Sequence, residues 1–154
     1  MQRFPQGLIY SPQDLIQFVN SDFACWMDRY ALENPNGFTP DEESDEMLNA
    51  LIQLGKDHEQ QFLDSLLNQG EDVYLIENRG AFEATLAAMR AGHTYIHQAA
   101  LKHESFLGYA DFLVRVEQPS KLGPWSYVPL ECKLALSPKP DFVLQSCCYL
   151  DLLE

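Results

Sequence analysis

Residues 107–149 read LGYADFLVRVEQPSKLGPWSYVPLECKLALSPKPDFVLQSCCY, and the two halves of that stretch decide the fold. LGYADFLVRV (107–116) and SYVPLECKLAL (126–136) are rich in Leu, Val, Tyr and Phe and partly alternate, so each predicts a strand. The polar, Pro- and Gly-bearing EQPSKLGPW (117–125) predicts the loop between them. Asp111 sits in the first strand. Glu131 and Lys133 sit two apart in the second, where side chains two apart share a face. A hairpin therefore brings two carboxylates and an ammonium to one spot. Two hard oxygen ligands suit Mg²⁺ or Mn²⁺. A lysine beside them can orient a water or stabilise charge on a phosphate. These are parts for metal-assisted hydrolysis of a phosphodiester. Taken alone, Glu131-x-Lys133 reads more plainly as a surface ion pair of little energetic worth.

Working outward, residues 137–141 (SPKPD) predict a stop-and-restart loop before a last helix, on which Gln145 and Tyr149, four apart, share a face. Lys139 in that loop is an exposed lysine that can also meet a phosphate. TYIHQAAL (94–101) predicts a strand beside LGYADFLVRV, AFEATLAAMRAG (81–92) a helix, Asn78-Arg79-Gly80 a turn and DVYLIE (72–77) a short strand. His93, His97 and His103 read as ordinary histidines, and whether Gln98 faces the site is left open. A helix is predicted from about 44 to 69, with Ser44 as N-cap, the acids 41–46 at its start and Gly70 as C-cap. Leu48, Leu51, Ile52, Gly55, Phe62 and Leu66 predict its inward stripe, which carries His58 with it; Glu59 reads equally as surface or site-side. Residues 1–10 predict an extended lead-in. Ser11-Pro12 predicts a helix start, with a break near Asn20-Ser21-Asp22 and a turn at Asn34-Pro35-Asn36-Gly37. Phe23, Trp26 and Tyr30 read as core or interface aromatics. The layout is α/β, a mixed central sheet flanked by helices, with a helical segment at 1–40 ahead of a core at 41–154.

In order along the chain, Gly55-x-x-His58-Glu59, Gly108-x-x-Asp111, Glu131-Cys132-Lys133 and Gln145-x-x-x-Tyr149 resemble the motifs of the RecB-like branch of the PD-(D/E)XK nucleases. The wording of residues 94–116 is most similar to a subgroup of RecB-like nucleases related to CRISPR-associated exonucleases. The resemblance covers roughly residues 10–154. It implies a restriction-endonuclease-like core at 41–154 on which the helical segment 1–40 packs, and a Mg²⁺- or Mn²⁺-dependent deoxyribonuclease, exonuclease ahead of endonuclease, working in repair, recombination or defence. It implies DNA as partner, single strands or ends, and further domains such as a helicase in a longer polypeptide. It implies His58, Asp111, Glu131 and the Cys132 carbonyl as metal ligands, and Asp111, Glu131, Lys133, Gln145 and Tyr149 as catalytic residues. The family core has one more strand after the Gln145 helix, whereas the chain as given stops at Glu154. Some relatives hold an iron–sulfur cluster. Cys25 stands where its first ligand would, but Cys147 and Cys148 lie between Gln145 and Tyr149, so a cluster is not expected here.

Composition bounds these readings. At 154 residues, 46% hydrophobic and 21% charged, the chain is one domain at most, with no apolar run of membrane-span length and no secretory leader pattern, which makes the cytoplasm the default. A formal net charge of −13 runs against a basic nucleic-acid footprint. It keeps open a non-catalytic nuclease-like module binding DNA or a protein, an enzyme acting on RNA, and a plain interaction domain.

Overall fold

The computed structural model describes residues 1–5, 7–37, 46–78 and 81–154. The chain runs β1 (Gln2–Phe4), β2 (Gly7–Ile9), α1 (Pro12–Asn20), α2 (Asp22–Glu33), α3 (Glu46–Asn68), β3 (Val73–Leu75), α4 (Phe82–Ala91), β4 (Tyr95–His103), β5 (Phe106–Val116), β6 (Ser126–Leu130) and α5 (Pro140–Leu153). A mixed four-stranded sheet has the order β3-β4-β5-β6, with β3 parallel to β4 and the other pairs antiparallel. The predicted order of strand, helix, three strands and helix is thus present. The lead-in differs: residues 2–9 fold back as the small β1–β2 hairpin. Its exit is tied to the β4–β5 turn, where the Tyr10 N–H donates to Ser105 O and the Leu107 N–H to Tyr10 O.

Local signals explain most element ends. Ser11 and Asp14 form a reciprocal capping box with Pro12 in the first turn of α1. Ser21 ends α1 and caps α2, at the predicted break. Gly92 terminates α4 at φ +81, a conformation that glycine adopts without a Cβ penalty. Ser44 and the acids 41–45 lie outside the described residues, as do Arg79 and Gly80 of the predicted turn.

The sheet carries a different layer on each side. On one side α4 and α5 cover Ile96, Ala99, Leu101, Ala110, Leu113 and Tyr127, with Met89 and Tyr149 inserted among them. On the other side Phe62, Leu63 and Leu66 of α3 cover Phe112, Tyr95 and Leu130. The predicted inward stripe of α3 is corrected here. Leu48, Leu51 and Ile52 are about half exposed, and nothing packs within 4 Å of where a Gly55 Cβ would stand. Only the second half of α3 meets the sheet, through a face defined by Phe62, Leu63 and Leu66. Phe23, Trp26 and Tyr30 are likewise not core. They stack on one another along α2, which buries no residue.

Candidate active site

Asp111 enters the site from the middle of β5, and Glu131 from the residue after β6. The predicted second strand is shorter than its apolar pattern: β6 stops at Leu130, and residues 131–135 continue without ladder pairing. Glu131 and Lys133 nevertheless come together, with Lys133 Nζ 3.0 Å from Glu131 Oε2. The Cys132 N–H donates to Asp111 Oδ2 at 2.8 Å, and the Asp111 N–H to Glu131 Oε1 at 3.2 Å. Glu131 thus sits on the Asp111 amide and Asp111 on the Cys132 amide, which fixes the end of β6 against the centre of β5. With its side chain 6% exposed, Glu131 is not half of a solvated surface pair.

The third element is α3, and the residue it supplies is Glu59. Glu59 shares the helical face of Phe62, Leu63 and Leu66, at the spacing that makes residues neighbours on a helix. His58, one position back, is exposed and is not brought to the acids. Glu59 Oε1 lies 2.7 Å from His97 Nε2 and also accepts from the Gln98 side-chain amide. His97 in turn packs its ring 4.8 Å from that of Phe112, the neighbour of Asp111. Glu59, His97 and Gln98 belong to the site geometrically, although no motif singles out His97 or Gln98. The usable signal was the phase of α3: read from its buried C-terminal half, the helix turns Glu59 inward.

Burial pushes the Glu131 carboxyl up to about 7, helped by the charge of Asp111 and opposed by Lys133. Burial also raises Asp111, with Glu59 adding to the rise and the Cys132 amide, Lys133 and His97 opposing it. The Cys132 thiol is pushed up to about 11 by burial and the surrounding acids. Carboxylates crowded into a poorly hydrated pocket, offset by one lysine and a protonatable histidine, match a hard divalent cation in donor chemistry. As they stand, however, no three His, Cys, Asp or Glu side chains among the described residues are spaced to ligate a metal. Their oxygens are occupied by the amides of Asp111 and Cys132, by Lys133 and by the His97–Gln98 pair.

Gln145 and Tyr149 meet as their spacing predicts: Gln145 Nε2 donates to the Tyr149 hydroxyl at 3.0 Å, and that hydroxyl donates to Tyr109 O at 2.8 Å. Tyr149 is 3% exposed, and burial raises its phenol. A Cβ on Gly108 would stand 2.5 Å from the Tyr149 ring, so Gly108 is the gap into which the ring fits. In this chain, then, glycine and tyrosine at the ends of two motifs lock α5 onto β5 just beside Asp111. Lys139, just before α5, stands 5.8 Å from the Phe142 ring centre, and Lys133 Nζ lies 5.7 Å from the same ring. A cavity of ≈ 760 Å³ opens elsewhere, between α4, α5 and the β5–β6 loop, and none of the acids lines it.

Comparison of the chain with protein-family models, with curated proteins and with solved structures finds no match. No helix among the described residues is long and apolar enough to cross a membrane.

Proposed function

We propose that the chain is a metal-dependent phosphodiesterase acting on DNA, of the RecB-like PD-(D/E)XK type. The observation that carries this reading is the meeting of Asp111, Glu131 and Lys133 at the buried junction of β5 and β6, with Glu59 of α3 held by His97, whose ring packs on Phe112 next to Asp111. Asp111, Glu131 and Glu59 would hold Mg²⁺ or Mn²⁺, with Glu59 in the place that the resemblance gives to His58. The Cys132 carbonyl completes that donor set in the resembled motif. The bound cation supplies charge neutralisation at the phosphate and a lowered pKa for the attacking water.

The chain's own groups do the rest. The Lys133 ammonium, held by Glu131, is placed to donate hydrogen bonds to a water or a phosphate oxygen and to stabilise negative charge developing there. The Cys132 and Asp111 amides fix the direction of both carboxylates. Tyr149 and Gln145 act one step back, by clamping α5 against the strand that carries Asp111. The acidic balance of the chain argues that DNA grip comes from elsewhere, such as adjoining domains, or that binding is weak.

The test is digestion of single- and double-stranded DNA with Mg²⁺ or Mn²⁺, run beside RNA, for the wild type and for Asp111→Ala and Lys133→Ala. Cleavage by the wild type and a loss of about 100-fold or more in both variants is the expected result. Equal cleavage by all three proteins would remove the site assignment. A second reading, a nuclease-like module that binds without cutting, is favoured by the absence of a closed three-ligand set among the described residues. It predicts no cleavage by the wild type in either metal.

A further inference from the structure

Gln98 has φ +58 in the interior of β4, the left-handed region that non-glycine residues rarely adopt. Its place in the sheet gives the strain a consequence. β4 and β5 keep one register on both sides of it, with His97 opposite Phe112 and Ala99 opposite Ala110, so Gln98 falls opposite Asp111. A regular strand sends successive side chains to opposite faces. Here Ile96 and Ala99, three apart, both join the α4–α5 side, and so do their partners Leu113 and Ala110. Alternation is therefore broken at the same level in both strands. The residues between are turned together toward α3: His97 and Gln98 both reach Glu59, and Phe112 meets Phe62 edge-on at 5.1 Å. Asp111 gains its partners on that side as well. With unbroken alternation, Phe112 on the α3 side would send Asp111 into the apolar layer beneath α4 and α5.

We propose that Gln98 is a positioning residue for the acidic site, its left-handed backbone turning Asp111 toward α3 and its amide holding Glu59 in place. This inference rests on the metal-site reading given above. It concerns a strained residue, and strain of this kind persists where the surrounding structure over-determines it.

The test uses two variants of the whole chain, with Mn²⁺ alone as ligand, followed by calorimetric titration and thermal unfolding. Gln98→Gly keeps the left-handed backbone without strain and deletes the amide. It is expected to weaken Mn²⁺ binding about tenfold, as loss of a group that orients a ligand does, while the metal-free Tm stays level or rises. Gln98→Val disfavours the left-handed backbone and is expected to abolish binding and to lower the Tm. If Gln98→Gly binds Mn²⁺ as the wild type does, the positioning role is wrong and the site reading stands. If its Tm falls in step with its affinity, Gln98 is a packing residue and the inference is overturned. If the wild type takes up no Mn²⁺, the site reading fails and the inference goes with it.

Discussion

On the α4–α5 side of the sheet, Ile96, Ala99, Ala110 and Leu113 are wholly buried among apolar neighbours. On the α3 side, equally buried Phe112 packs with Phe62, Leu63 and Leu66 and against the His97 ring, and this side also holds Glu59, Asp111, Glu131 and Lys133 in hydrogen-bonded contacts. The two sides share strands and differ in what their burial accomplishes. The first takes apolar area out of water and supplies stability. The second holds charged groups in a dry place, which costs stability and prepares them to bind charge. The difference sets the α3 side apart as the candidate site without appeal to any single motif.

That contrast can be broken or sharpened by substitution. Leu113→Ala, on the apolar side, is expected to cost about 2–5 kcal/mol of unfolding free energy, measured by urea denaturation, with any remaining folded protein keeping its metal affinity. Gly108→Ala forces a Cβ against the Tyr149 ring and is expected to cost about 1–3 kcal/mol; a neutral result would show that α5 is not clamped at that point. Titration of the acidic side works in the other direction. The Glu131 carboxyl is raised to about 7 from its ordinary 4.5, so the folded state binds its proton more tightly than the unfolded state does. The stability this contributes is complete below about pH 4.5 and is lost as pH rises through about 7, on the order of 3 kcal/mol in metal-free buffer. Glu131→Gln has no carboxyl to titrate, so its Tm is expected to fall less over that interval; parallel Tm curves for the two proteins would contradict the burial of Glu131. The smallest effect is at α3. Exposed His58→Ala is expected to leave Mn²⁺ affinity and stability within experimental error, whereas Glu59→Ala lowers the affinity. The reverse result would restore the role that the GxxHE resemblance gives to His58.

Much of the frame was legible in the sequence because it rests on local signals. The Ser11 cap, the Gly92 terminus, and the alternating strands with their Pro- and Gly-bearing loop each act within a few residues. The pairing of Asp111 with Glu131-x-Lys133 was legible for the same reason, since adjacent antiparallel strands bring those positions together. The orientation of α3 was not. Its apolar residues lie on more than one face, and the exposed Leu48, Leu51 and Ile52 drew the predicted stripe toward His58, whereas contact with Phe112 selects the face bearing Glu59. The second strand ends before its pattern does, because Glu131 to Leu134 keeps an alternating pattern while lacking a ladder partner. The inversion at Gln98 has no local signature at all: it appears only when the partners of Ile96 and Ala99 are known.

The most direct test of the central claim is an anomalous-difference map from crystals of the whole chain soaked in millimolar Mn²⁺. The account predicts a peak within coordination reach of Glu59, Asp111 and Glu131, abolished in Asp111→Ala. A map with no peak among those carboxylates, or with its peak elsewhere on the molecule, would contradict it.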